Sequence, residues 1–292
     1  AHLGVAMQSG TEVSKEAGDM ILLDNNFASI IQAIETGRLL SDNLKKVAVY
    51  LLPGGSWSQI WPLFFSLWFG MPLALSAFLA IVFCMLNDVF LSLAMVTESP
   101  ERDIMSRSPA IRSKDHLLNW KLLLHAYIFV GTIECFTGFF CFWYYWSDHK
   151  VPFTSFMFTY EKFGVDPKTP YSRAQLTEMK YVAQSVYYCS VCLFQVFNYF
   201  ATRTRYTSIT EHNPFWGKGR NLYAFGAILM SIIVQIIVTQ VFWFNQVFHT
   251  APVPVKYVLP TLGFGALWLL IDELRKWFVR NYPDGLAAKI AW

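Results

Sequence analysis

Apolar and polar positions fall in long blocks along this chain. From Val47 onward six apolar runs follow one another, near 47–69, 73–96, 121–146, 182–201, 222–246 and 255–279. Each is about long enough to cross a hydrocarbon core, which takes roughly 20 residues of helix. A single run of this kind also suits a buried helix of a soluble domain, but six in succession predict a membrane bundle. The first 46 residues are patterned differently. His2-Leu3-Gly4-Val5-Ala6-Met7 is a short apolar run closed by Gln8-Ser9-Gly10-Thr11, which predicts a buried strand and a turn. Thr11 to Ala17 predicts a short helix, and Met20-Ile21-Leu22-Leu23, closed by Asp24-Asn25-Asn26, a second buried strand. Beyond Phe27, Ile30, Ile31, Ile34 and Leu39 recur at helical spacing, so a helix continues through Asp42-Asn43-Leu44-Lys45-Lys46 into the first apolar run. Two strands and two helices are too few to close a core. The predicted fold class is an all-α polytopic membrane bundle of six transmembrane helices over 47–292, with a short α/β remnant of a larger domain over 1–46.

Composition strengthens the membrane reading. The chain is 54% hydrophobic, 17% aromatic and only 15% charged, which is not the profile of a soluble domain. A formal charge of +3, with the basic residues gathered in loops, predicts no nucleic-acid partner. Arg102, Arg107, Arg112 and Lys114 lie in one loop, Arg203, Arg205, Lys218 and Arg220 in another, and Arg275, Lys276, Arg280 and Lys289 in the tail. By the positive-inside rule these face the cytoplasm, together with both chain ends. Gly70-Met71-Pro72, the loop around His249 and the longer loop 147–181 then face outward, the last despite Lys150, Lys162, Lys168, Arg173 and Lys180. Cys84, Cys135, Cys141, Cys189 and Cys192 all sit in apolar runs, where a thiol packs as a small hydrophobe, and no second pair or nearby His makes Cys189-x-x-Cys192 a metal site. No Gly-Lys-Ser/Thr phosphate loop, HExxH, GxSxG or dinucleotide glycine fingerprint occurs. A start at Ala1, without a charged-then-apolar leader, reads as a processed or incomplete chain.

One residue breaks the apolar pattern with a charge. Asp88 lies deep in the second run of the hairpin formed by the first two runs. An ionised side chain at that depth costs several kcal/mol by most estimates, and such groups usually face a pathway or a partner. The bland alternative is a carboxyl kept neutral or hydrogen-bonded. His125 and His212 have no partner at metal-ligand spacing and read as structural, and the aromatic runs Phe139 to Trp146 and Phe242 to Phe248 read as lipid or packing surface.

At this point several stretches resemble a known family. Val13-Ser14-Lys15-Glu16-Ala17-Gly18-Asp19-Met20-Ile21-Leu22-Leu23-Asp24-Asn25-Asn26-Phe27-Ala28-Ser29-Ile30, then Gly37-Arg38 and Asp42-Asn43-Leu44-Lys45-Lys46, resemble the end of the phosphorylation domain and the membrane stalk of type II P-type cation pumps, in particular the sodium/potassium-pump branch. Glu98-Ser99-Pro100-Glu101-Arg102-Asp103-Ile104-Met105 resembles the loop after that family's sixth span, and Asp272-Glu273-Leu274-Arg275-Lys276 the end of its tenth. The resemblance runs in order along essentially the whole chain. It implies that the six runs are spans five to ten, in the plasma membrane. Pumps of this family pass the ATP γ-phosphate to an Asp in DKTGT, use TGDGxND near magnesium and TGE for dephosphorylation. All three motifs are absent here, so ATP and magnesium are implied only for a full-length relative, and this chain holds no catalytic residue, cofactor or metal site of its own.

The resemblance also marks a cation pathway and its departures. The fifth span of the sodium/potassium branch carries an Asn and a Glu around a Pro, and the matching stretch is Pro53-Gly54-Gly55-Ser56-Trp57-Ser58, with Gly55 and Ser58 in the ligand positions. The sixth span has two acids one helical turn apart, matched by Cys84 and Asp88. Pro53, Gly54 and Gly55 are expected to unwind the helix and free backbone carbonyls, as broken helices at transport sites do. Ser56, Ser58 and Asn87 are neutral groups near Asp88; Glu134 is a second intramembrane acid where the family is usually uncharged. Gln195 and Asn198 resemble a polar pair of the eighth span, Asn198 replacing an Asp. Glu134 alternatively bonds a neighbouring helix, and Gln195 and Asn198 alternatively serve helix packing. The loop before the eighth span lacks the Ser-Tyr-Gly-Gln motif that holds an accessory β subunit, which weighs against that partner, and the chain end lacks the tyrosine pair of the animal pumps. The reading is the membrane portion of an ATP-driven cation pump, for sodium and potassium-like ions or protons, unable to hydrolyse ATP as it stands. Its partners are the lipid bilayer and a missing cytoplasmic head, in cis or in trans. The alternative is a catalytically dead or relic membrane scaffold that pairs with another chain.

Overall fold

The computed structural model describes residues 3–101, 104–106, 108, 115–163 and 169–285. The expectations for Arg102, Arg107, Arg112, Lys114, Lys168, Lys289 and the chain end fall outside these residues. Near the N-terminus β1 (Val5–Met7) and β2 (Met20–Leu22) pair in parallel with Val5 opposite Met20. Between them α1 (Glu12–Glu16) is capped by Thr11, whose hydroxyl accepts the Ser14 N–H. Of the strand residues only Ala6 and Leu22 are buried, so the predicted strands exist but their outer faces are open.

A long helical hairpin follows. Helix α2 (Ala28–Leu52) passes without a break into a π-helical segment, Pro53–Trp57, and then into α3 (Ser58–Phe69). The helix expected to unwind at Pro53, Gly54 and Gly55 therefore stays closed and only widens. The reason is local: the Ser58 N–H reaches back five residues to the Pro53 carbonyl, and the Ser56 and Ser58 hydroxyls donate to the Leu52 and Gly54 carbonyls at 2.7 and 2.8 Å. Gly70, with φ of 59°, ends α3 in the left-handed region that glycine adopts without strain. The return leg is α4 (Ala77–Val82), capped by Ser76, then a second π segment, Phe83–Asp88, and α5 (Val89–Val96).

The rest of the bundle is α6 (Trp120–Leu123) with a third π segment, Leu124–Gly131, and α7 (Thr132–Asp148); α8 (Arg173–Thr202); α9 (Leu222–Gln240) with α10 (Phe242–Phe248); and α11 (Val255–Val258) with α12 (Pro260–Asn281). Asn119, Ser172 and Asn221 cap the helices that follow them, Ser172 with Gln175 in a reciprocal capping box. Among the described residues four stretches are long and apolar enough to cross a membrane: Ala77–Val96, Trp120–Asp148, Leu222–Gln240 and Val255–Asn281. Helix α8 is longer than its apolar run predicts and carries more polar residues, because it runs through the middle of the bundle and is buried without interruption from Ala183 to Cys192. It packs against α7 and α12. Lipid supplies no hydrophobic drive between helices, so close packing at small residues does the work. At Gly138 of α7 a side chain would run into the Tyr187 ring and Val191 of α8.

Candidate cation pathway

π-Helical segments are rare and tend to mark functional sites. The two in the hairpin, Pro53–Trp57 and Phe83–Asp88, pack together, and Pro53–Trp57 also packs against Leu124–Gly131. Asp88 closes the second segment and is 1% exposed. Its Oδ1 accepts from the Tyr50 hydroxyl at 3.4 Å, while its Oδ2 has no partner. That free oxygen lies 3.8 Å from where a Cβ would stand on Gly55. Next to it, Gly54 has no room for a side chain at all, because a Cβ there would overlap the Gln195 amide. The widened helix thus gives up two side chains so that an acid and an amide from other helices can reach its backbone.

The sequence-predicted residues meet here in two groups. Ser58 is buried, its hydroxyl pinned on Gly54 and its carbonyl accepting from the Tyr187 hydroxyl at 2.6 Å. Glu134, on the first turn of α7, stands beside Ser58 and within electrostatic reach of Asp88. Both its carboxyl oxygens are wholly buried and without a hydrogen-bond partner. Ser56 donates to Leu52 and faces the Tyr127 hydroxyl at 3.3 Å. Asn87 accepts from Ser231 of α9, which leaves its Nδ2 unpaired. Gln195 and Asn198 hold each other, Asn198 donating to Gln195 at 2.9 Å and accepting from Thr202 at 3.2 Å. Gln195 Nε2 is unpaired beside Gly54, so Gln195 faces the pathway and Asn198 is drawn into α8's own polar chain. Cys84, one turn before Asp88, donates weakly to the Gly55 carbonyl at 3.7 Å.

Sequence reasoning missed three contributors. Tyr50 sits just before Pro53 in α2 and Ser231 far along the chain in α9, and nothing in their local sequence marks them. The third is a second polar network at the far end of the hairpin. Glu98, just past α5, accepts from Tyr199 at 2.5 Å, Arg203 at 2.8 Å and Asn221 at 3.0 Å on one oxygen. Asn43 of α2 bonds the Glu98 and Val96 carbonyls. Glu101 pairs with Lys46 at 2.8 Å and accepts the Arg205 and Tyr206 N–H groups. Burial pushes the Glu101 carboxyl up, but the Lys46 charge and hydrogen bond with these backbone donors outweigh it and hold it at about 2. Nearby, burial and the Arg203 charge push His212 below its usual range. Among the described residues no group of three or more His, Cys, Asp or Glu is placed to hold a metal ion.

Residues 72–278 match the family model described as cation transporting ATPase, C-terminus. The chain is 27% identical to the potassium-transporting ATPase alpha chain 2 of Rattus norvegicus over 97% of its own length and 28% of that protein's. It is 29% identical to the human sodium/potassium-transporting ATPase subunit alpha-4, covering 98% of this chain and 28% of that one. With the sodium/potassium-transporting ATPase subunit alpha of Hydra vulgaris it shares 28% identity, over 99% of this chain and 28% of the relative. The chain spans a little over a quarter of the length of these curated relatives.

Proposed function

The chain belongs to the family of cation-transporting ATPase C-terminal regions, and we propose that it forms the membrane portion of an ATP-driven pump for monovalent cations, sodium and potassium-like ions or protons. In this reading six spans cross the plasma membrane with both ends cytoplasmic. Two of them, α2 through α3 and α8, escape a purely apolar criterion because one continues a charged stalk and the other is wrapped by its neighbours. Residues 1–46 are the last strands of the phosphorylation domain and its stalk, and 47–292 the transport domain. The nucleotide chemistry belongs to a cytoplasmic head, in cis or in trans. The sequence holds no phosphate loop, and among the described residues no group of three or more His, Cys, Asp or Glu is placed to hold a metal ion, so no step of ATP hydrolysis is assigned to them.

The observation that carries the reading is Asp88: a fully buried carboxyl with one free oxygen, set against the backbone of a helix that widens at Pro53–Trp57. A buried acid without a compensating cation is costly, and a transported ion or proton is the natural compensation. Ser56, Ser58, Asn87, Glu134, Gln195 and Asn198 line or support the pathway, with Pro53, Gly54 and Gly55 shaping the backbone. An accessory β subunit is not part of this proposal. The test is ATP-driven ion uptake into vesicles carrying the polypeptide at its native length, with and without Asp88→Asn. The expected outcome is loss of uptake; uptake left untouched by the substitution would remove Asp88 from the pathway.

A further inference from the structure

We propose that Glu134 is the second cation-liganding carboxylate of the site, delivered by α7 to the position beside Ser58, so that the ion is held between two acids on different spans. This deepens the transport reading above and rests on it. The placement follows from the packing of α7. Glu134 shares a helix face with Gly131, three residues before it, and Gly138, four after. A Cβ on Gly131 would come within 3.1 Å of the Trp57 Cβ, and one on Gly138 within 2.8 Å of the Tyr187 ring. Both glycines let α7 approach, the first towards the Pro53–Trp57 segment and the second towards α8. The side chain between them is held in the interior with Asp88 rather than turned to lipid, and it is 0% exposed.

The oxygens around it decide what it can do. The Ser58 hydroxyl has spent its proton on the Gly54 carbonyl, so it offers Glu134 no donor and presents its lone pairs instead. Ser56 is in the same state, with its proton on Leu52. Glu134 Oε1 and Oε2 and Asp88 Oδ2 are left as three uncommitted, buried carboxyl oxygens. Among the described residues neither acid makes a hydrogen bond or ion pair to a Lys or Arg. A helix-packing role for Glu134 would satisfy its carboxyl oxygens with donors across the interface, and Ser58, the hydroxyl beside them, has its proton on Gly54. The Gln195 amide, also buried and unpaired at Nε2, points at Gly54 in the same space. Two acids, hydroxyl lone pairs and a widened backbone give this part of the interior the oxygen donors that an alkali-metal cation takes.

The experiment is equilibrium binding of radioactive rubidium and sodium to the polypeptide at its native length, purified in lipid, as wild type, Asp88→Asn, Glu134→Gln, and Glu134→Gln combined with Ser58→Glu. Wild type is expected to bind, and each single neutral substitution to weaken binding by about tenfold or more. The double variant, which returns the acid from the neighbouring helix, is expected to recover most of the loss. That rescue separates a lost ligand from a damaged fold. Binding unchanged by Glu134→Gln, with Asp88→Asn still defective, would overturn this inference and leave the transport site intact. A loss that Ser58→Glu does not rescue would also overturn it, as a packing defect. No binding by wild type would overturn both readings together.

Discussion

Two sets of buried carboxylates lie in and against this hairpin, and they are treated in opposite ways. Just past the end of α5 Glu98 has an arginine, a tyrosine and an asparagine on one oxygen, and Glu101 has a lysine and two backbone donors. In the middle of the hairpin Asp88 has a single long contact to Tyr50, and Glu134 has none. Burial is nearly complete in both places, so exposure does not separate them. Compensation does. The first cluster is charge-compensated, although Glu98 Oε2 and Asn43 Oδ1 stay unpaired, and it fixes three elements in one arrangement: α2 through Asn43 and Lys46, the end of α5 through Glu98, and α8 through Tyr199 and Arg203. The second cluster has no Lys or Arg paired with its acids among the described residues, and that lack of a compensating charge costs stability. The lesson is that the anchored end holds three elements in one arrangement, while the open centre leaves carboxyl oxygens uncommitted.

The largest effect expected is on the anchored end. Arg203→Ala would leave Glu98, whose side chain is 0% exposed, as an uncompensated buried charge. Breaking one partner of a buried pair costs about 3–5 kcal/mol. Thermal unfolding in lipid, followed by dye labelling of the buried Cys135, Cys141, Cys189 and Cys192, should show that loss. A change no larger than that of a surface substitution would erase the contrast. Next comes pH. The Glu101 carboxyl is held at about 2 against an ordinary 4.5, so it binds fewer protons folded than unfolded across that interval. Its contribution is complete above about pH 4.5 and is lost as pH falls towards 2. The shift corresponds to about 3 kcal/mol, and Lys46→Met should flatten the acid limb of the stability profile. A smaller effect tests the packing that holds the centre. Gly138→Ala forces a methyl against a Tyr187 ring whose hydroxyl is tied to Ser58, so the ring cannot step aside. Overpacking of this kind costs about 1–3 kcal/mol, and it should loosen the centre while leaving the acid limb set by Glu101 unchanged.

How much of this could be read beforehand depends on the range of the interactions. The helices were legible because 3.6-residue periodicity and apolar length are local properties, and β1 and β2 because short apolar runs ended in turn residues. Asp88 was legible because one acid in an apolar run is conspicuous without any knowledge of its neighbours. Pro53-Gly54-Gly55 announced an irregular helix, yet the outcome was a π segment rather than an unwound stretch. The signal lay in Ser56 and Ser58, whose hydroxyls donate to the carbonyls four residues back and support backbone acceptors that a widened helix holds less tightly. The Glu98 network was not legible, because Arg203 and Asn221 stand more than a hundred residues away and read as ordinary loop positions. Gly131 and Gly138 likewise gained meaning only once Trp57 and Tyr187 were seen against them.

The smallest expected effect on stability is the most discriminating. Asp88→Asn removes a buried carboxyl whose one partner is a hydroxyl 3.4 Å away, and an amide of the same shape can keep that contact by accepting through its oxygen. Its NH2 group then takes the place of the unpaired Asp88 Oδ2. Nothing stabilising is lost, and a group costly to bury is replaced by one that is less so. Functional sites commonly gain stability of this kind when their strained polar groups are neutralised. The variant should therefore unfold at the wild-type temperature or slightly above it, by about 1 kcal/mol at most, while Arg203→Ala falls far below. If Asp88→Asn instead destabilised the chain as strongly as Arg203→Ala, Asp88 would be an anchor like Glu98, and the open centre would be structural after all.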